Sequence, residues 1–129
     1  MLKGILTAED AAIAAEEGVD GIVVSSHGAR QLDRTITTAD ALEAVVAAAR
    51  GRCEVWVDGA IRRGLDVVTA LALGARGVLV GRPLFWALAV AGQAGVERAL
   101  GILRTETVIA MTLLGARRTE DIARGHVAD

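Results

Sequence analysis

Tyrosine is absent from this chain, and aromatic residues together occupy 2% of its 129 positions. A core made from this sequence cannot rest on large rings and must be built from aliphatic side chains. Cysteine occurs once, at Cys53, which excludes an internal disulfide and fits a reducing compartment, so a cytoplasmic location is expected. Two histidines, that cysteine and scattered acids show no metal-ligand spacing, so no metal centre is expected. No apolar run approaches the roughly 18 residues needed to span a membrane, because Arg, Asp or Glu interrupts each one. Met1-Leu2-Lys3-Gly4 has too short an apolar stretch to read as a signal peptide. A formal net charge of −2 removes any general attraction to nucleic acid or anionic lipid. Arg62-Arg63 and Arg117-Arg118 are pairs, too short for a basic patch.

What is abundant is alanine and valine. Hydrophobic residues reach 53% of the chain and mean hydropathy is +0.44, a composition that suits buried parallel strands under closely packed helices. The order of elements agrees. Thr7 can cap a helix from Ala8 to about Glu17, with Glu9 and Asp10 in its first turn and Gly18 ending it. Asp20-Gly21-Ile22-Val23-Val24 reads as a buried strand. Gln31 to Thr37 is a polar loop in which Asp33 orders the backbone, and Thr38 is placed as the cap of a helix from Ala39 to about Arg50. Glu54-Val55-Trp56-Val57 makes a second strand ending at Asp58, and Leu65 to Leu73 a helix closed by Gly74. Gly77-Val78-Leu79-Val80 is a third strand. A helix near Leu84 to Ala91, a turn over Gly92–Gly95, a long helix from Val96 to Leu114 and a short one capped by Thr119 complete the chain. Trp56 and Trp86 are expected to pack, and His126 to be solvated in the tail.

Strand–helix alternation with short connections implies a parallel sheet with right-handed crossovers. Three complete strands, plus a trace of one at Met1-Leu2-Lys3, amount to about half of an eight-stranded barrel. The fold class is therefore α/β, with residues 1–129 forming one partial domain.

Chemistry concentrates at the strand ends. Ser25-Ser26-His27-Gly28-Ala29-Arg30-Gln31 would follow the first complete strand, where ligands gather in α/β folds. Histidine titrates near neutral pH, arginine offers a planar fork to a carboxylate, and Gly28 lets the backbone come close. A hydrogen-bonded structural histidine fits the same local pattern. Gly59 and Gly81, each near an arginine at consecutive strand ends, suit one phosphate; glycines that only permit tight turns, with solvated arginines, are the other reading.

Four motifs, Lys3-Gly4-Ile5-Leu6, Ser25 to Gln31, Asp58-Gly59-Ala60-Ile61-Arg62 and Gly81-Arg82-Pro83, occur in order and in register. Together they resemble the carboxyl-terminal part of the FMN-dependent 2-hydroxy-acid oxidases and dehydrogenases, the family of glycolate, lactate and mandelate oxidation. The resemblance implies strands five to eight of a TIM barrel and FMN as cofactor. It implies Lys3 at the pyrimidine end of the flavin, and Ser25 hydrogen-bonded to the cofactor. His27 would be the base toward the 2-hydroxy acid and Arg30 the carboxylate clamp. Asp58 would meet the ribityl chain, with Gly59, Ala60, Ile61, Arg62, Gly81 and Arg82 around ribityl and phosphate. Ser26 stands where asparagine is usual, and Ala60 where glycine or serine is common. The family's first half-barrel, with its active-site tyrosines and the aspartate that orients the histidine, has no counterpart here. A half barrel exposes two strand edges, so a second copy or a separate first half is expected as partner. A flavin- and phosphate-binding remnant without turnover, and another phosphate-handling barrel such as a flavin-dependent isomerase, are the alternatives.

Overall fold

The computed structural model describes residues 1–128. Its core is a four-stranded, all-parallel sheet in which β1 (Leu2–Ile5), β2 (Gly21–Val24), β3 (Glu54–Asp58) and β4 (Gly77–Leu79) lie side by side in chain order. Each crossover is helical: α1 (Ala8–Glu16), α2 (Thr38–Ala49) and α3 (Gly64–Ala72). One direction of progress and one order of strands are what a segment of a barrel wall requires.

The central strands explain themselves. Every residue of β2 is buried, so Ile22, Val23 and Val24 form the continuous β-branched run expected of a strand covered on both faces. Ile22, Val24, Val55 and Val57 join Ala11, Ala14, Leu42 and Val45 in one apolar cluster between sheet and helices. Alanine lets α1 and α2 come close, which is why so hydrophobic a chain manages without rings. On the opposite face Val23 pairs with Trp56, and Trp56 with Gly77. The Trp56 indole lies over the Gly77 backbone where a Cβ would collide with it, and its Nε1 donates to Glu54 Oε2 at 3.1 Å.

Several boundaries differ from expectation, each for a local reason. β1 is a full strand, as long as β2, because pairing with β2 recruits residues whose own composition is weak. Thr37 rather than Thr38 caps α2: its Oγ1 accepts from Asp40 N at 3.2 Å and donates to Asp40 Oδ2 at 2.7 Å. Thr38 is instead buried under Gly59. The expected turn at Gly92–Gly95 shrinks to a break at Ala91 and Gly92 within α4 (Arg82–Leu114). Gly95 then packs against the Ala87 carbonyl, an approach that leaves no room for a Cβ. The distal half of α4 returns to α3, where Glu106 Oε2 accepts from Gly64 N at 2.8 Å. Arg118, not Thr119, precedes the last turns, short 3₁₀ segments at Thr119–Asp121 and Arg124–His126. His126 is exposed as expected, but its Nδ1 accepts from Ala123 N at 3.0 Å. Asp33 Oδ1 accepts from Arg34 N at 2.8 Å, the loop-ordering role anticipated for it. Among the described residues no helix is long and apolar enough to cross a membrane, and no group of acids, histidines or cysteine could hold a metal.

Candidate active site

Because all four strands run the same way, their carboxyl ends meet along one edge, and the loops that follow them share one cleft. Its volume is about 520 Å³. Lys3, His27, Arg30, Asp58, Gly59, Ala60, Ile61, Arg62, Gly81 and Arg82 all line it. Ser25 lies beneath, 1% exposed, at the end of β2. A smaller cavity of about 340 Å³ near the amino ends of β3 and β4, beside Cys53, Arg76 and Glu120, holds none of these residues.

A hydrogen-bonded cluster ties β1 to the carboxyl ends of β2 and β3. Lys3 Nζ donates to Ser25 Oγ at 2.7 Å and meets Asp58 Oδ2 at 2.8 Å. Ser25 Oγ also accepts from His27 N at 3.0 Å. The second Asp58 oxygen, Oδ1, is buried without a hydrogen-bond partner. Such an orphaned acceptor costs roughly 1–3 kcal/mol, and a ligand hydroxyl would supply the donor it lacks.

After Ser25 the backbone turns left-handed at three successive residues: His27 at φ 52°, Gly28 at 69° and Ala29 at 60°. Ala29 N closes the turn on Ser26 O at 2.9 Å. Two of the three are not glycine, so the turn stores strain of roughly 1–2 kcal/mol per such residue. What it gains is direction, because His27 and Arg30 both reach the cleft. Among the described residues neither side chain has a hydrogen-bond or ion-pair partner, and the same holds for the guanidinium groups of Arg62 and Arg82.

The other two loops form a cationic rim. Arg62 N and Arg63 N donate to Asp66 Oδ2 at 2.8 and 2.9 Å, which fixes the loop after β3 against the start of α3. Gly59 at φ 91° and Ala60 at 59° make that loop tight. After β4, Gly81 begins α4 with no side-chain cap, and the first turn carries Arg82 and no acid. A helix start left uncapped beside two arginines favours an anion.

Some residues of the site were not singled out from sequence. Gly4 matters: an ideal Cβ on it would lie 2.6 Å from His27 Nε2. Its only signal was its place in the Lys3 motif and the two-residue periodicity it breaks. Trp86, expected to pack, is 59% exposed and lines the cleft beside Phe85. Nothing in the sequence distinguishes those rings from core aromatics, since helical spacing places both kinds alike.

The residues present suit a phosphorylated, hydroxyl-bearing cofactor, with an orphaned carboxylate oxygen on one side and, on the other, Arg62 in its loop and Arg82 at the start of α4, neither guanidinium paired among the described residues. Comparison with known proteins agrees. The family model described as FMN-dependent dehydrogenase matches residues 1–129. Glycolate oxidase of Spinacia oleracea is 52% identical over 128 residues, covering 99% of this chain and 35% of that protein. L-lactate oxidase of Nostoc sp. is 53% identical over 122 residues, covering 95% of this chain and 33% of that protein. A mandelate oxidase structure with benzoyl-formic acid superposes with a TM-score of 0.92 at 52% identity, over 95% of this chain and 37% of that one; another mandelate oxidase structure carries a monooxide FMN adduct. The chain spans about a third of the length of the curated relatives it matches, and within that span its parallel sheet is a partial TIM barrel. It belongs to the FMN-dependent dehydrogenase family.

Proposed function

We propose that this chain carries the phosphate, ribityl and acid–base part of an FMN-dependent enzyme that oxidises an L-2-hydroxy acid to the 2-oxo acid. The observation that carries the reading is one cleft holding a histidine and arginines whose side chains have no hydrogen-bond or ion-pair partner among the described residues, at the ends of parallel strands. Arg30 binds the substrate carboxylate through paired, charge-assisted hydrogen bonds. That contact orients the 2-hydroxyl toward His27, whose imidazole takes the hydroxyl proton as general base. FMN, when bound, would supply the oxidant for the C2–H bond, whose hydrogen and two electrons would leave carbon together. Arg62, Arg82, Gly81 and the start of α4 hold its phosphate, while Gly59, Ala60 and Ile61 line the ribityl path. Asp58 accepts from ribityl hydroxyls with its unpaired oxygen. Lys3 places a positive charge by the flavin ring, and Ser25 donates to the cofactor from beneath.

In this reading the sheet closes through a partner. β1 and β4 each pair on one side only, and Phe85, Trp86, Val90 and Leu113 on α4 are largely exposed. Open edges and apolar surface of this kind invite pairing, with a second copy or a separate first half-barrel. Sedimentation of the purified chain as a cooperative, native-like monomer would count against it.

The test of function is an FMN titration followed by anaerobic addition of lactate, glycolate and mandelate. Stoichiometric binding with bleaching of the flavin absorbance is the expected result. Binding without bleaching would make the chain a flavin-binding remnant, the second reading. Absence of binding would refute both readings for the chain alone.

A further inference from the structure

We infer that Gly4 is a positioning residue whose missing side chain forms the seat of the His27 imidazole. β1 does not run regularly past this point. Lys3 pairs with Val23 and Ile5 with Val24, so Gly4 is an unpaired extra residue, a bulge, at φ 102°. The bulge has two effects on neighbouring strands. It lets Lys3 aim its ammonium at Ser25 and Asp58, and it presents a bare Cα to the loop after β2. The imidazole fills that space: a Cβ on Gly4 would stand 2.6 Å from Nε2, 3.5 Å from Cδ2 and 3.6 Å from Cε1 of His27. At the other end, the His27 backbone is held by Ser25 Oγ at 3.0 Å. The ring makes no hydrogen bond to any described residue, so its position comes from the strained turn behind it and the flat surface of Gly4 beneath it. Bulges commonly re-aim side chains next to active sites, and this one serves two residues at once.

Gly4's role as a positioning residue rests on His27 being the base, and the two claims separate experimentally. With two histidines in the chain, the His27 ring signals are assigned in NMR spectra by their loss in His27→Gln. In the parent chain the His27 ring should show nuclear Overhauser contacts to the Gly4 Hα protons; a folded chain without them overturns the seat. Gly4→Ala should remove those contacts and shift the His27 ring signals while leaving those of His126 in place. A folded Gly4→Ala chain with unshifted His27 signals overturns the inference. If Gly4→Ala does not fold, the double variant Gly4→Ala/His27→Ala decides. Recovery of folding on removal of the ring supports the seat. A double variant as unfolded as the single one overturns it, because the left-handed backbone alone would then require glycine. Retention of full flavin reduction in His27→Gln, with the parent's contacts intact, would refute His27 as base and leave the seat standing.

Discussion

Replacing Lys3 by methionine keeps the length and apolar stem of the side chain and deletes only its charge. The cost follows from what the ammonium touches. It meets Asp58 Oδ2 at 2.8 Å and Ser25 Oγ at 2.7 Å, so it joins β1 to the carboxyl ends of β2 and β3. The side chains are 42% and 18% exposed, which puts the pair between two regimes. Exposed pairs contribute roughly 0.2–1 kcal/mol, whereas removing one partner of a buried pair costs roughly 3–5 kcal/mol. Solvent screening at the lysine end pulls the figure down. The lost bond to Ser25 and the stranding of a carboxylate whose other oxygen already lacks a partner push it up. The balance is about 2 kcal/mol, equivalent to a fall in Tm of roughly 6–10 °C for a domain of this size.

Urea melts of Lys3→Met, Asp58→Asn and the double variant measure the coupling directly. The double variant should be less destabilised than the sum of the singles by about 1 kcal/mol, as expected for contacting residues. Single variants that add to within about 0.3 kcal/mol would mean that Lys3 and Asp58 are not coupled and that the cluster does not hold the strand ends. Salt provides an internal check, since a half-exposed pair should lose part of its coupling as ionic strength rises.

The remaining predictions concern the loops and the tail. His27→Gln should leave FMN affinity unchanged and slow anaerobic flavin reduction roughly 10²–10⁴-fold, read by stopped-flow absorbance. Arg30→Met should weaken binding of 2-hydroxy acids about 10–100-fold through loss of charge-assisted hydrogen bonds, with FMN affinity unaffected in a fluorescence titration. Gly59→Ala should cost about 1–2 kcal/mol of stability, since alanine is strained in left-handed backbone. Gly59 sits at φ 91°, and its new Cβ would lie 2.8 Å from Thr38 Oγ1; adding Thr38→Ala should recover part of the loss in thermal melts. Glu120 sits below its ordinary value of 4.5, chiefly because its carboxylate accepts a backbone N–H and then the Thr119 hydroxyl. A carboxyl depressed by folding adds stability that is complete above its unfolded pKa and disappears as pH falls through the folded one. Glu120→Gln should therefore lower stability slightly at neutral pH, flatten the stability profile in the acid range below 4.5 and converge with the parent chain in acid.

Much of this architecture was legible because physics acts locally in it. The Val-rich run after Gly21 can only be a buried strand, and Thr7 with Glu9 and Asp10 can only begin a helix; both stand where expected. The position of the motif was legible too: Ser25 to Gln31 follow β2, and His27, Gly28, Arg30 and Gln31 line the cleft at the strand ends. What was missed depends on partners distant in sequence. β1 exists because β2 pairs with it. The cap of α2 is the local exception: Thr37, not Thr38, meets Asp40 three residues ahead. The exposure of Trp86 and the seat at Gly4 are properties of packing between elements, and no local spacing encodes them.

The arrangement separates stability from chemistry across the thickness of one sheet. The aliphatic cluster that holds the strands to α1 and α2 lies on the helix side, whereas Lys3, Asp58 and the loop residues gather at the strand ends. Local penalties gather at those ends: left-handed His27, Ala29 and Ala60, an orphaned Asp58 oxygen and arginines without counter-ions among the described residues, although Arg34 and Arg50 are left-handed elsewhere. The last two would be relieved by a bound molecule that brings hydroxyls and negative charge. None would be relieved by further apolar packing. A loop shaped only for stability would favour glycine at φ near 60° and would pair its arginines with acids, and this chain has acids enough, 16 against 14 basic residues, to do so. It places them elsewhere: Asp66 holds the backbone of the loop after β3, and Glu106 caps α3. Sparing use of acid around the cleft leaves its positive charge available to a ligand, which is the electrostatic requirement for holding a phosphate and a carboxylate side by side.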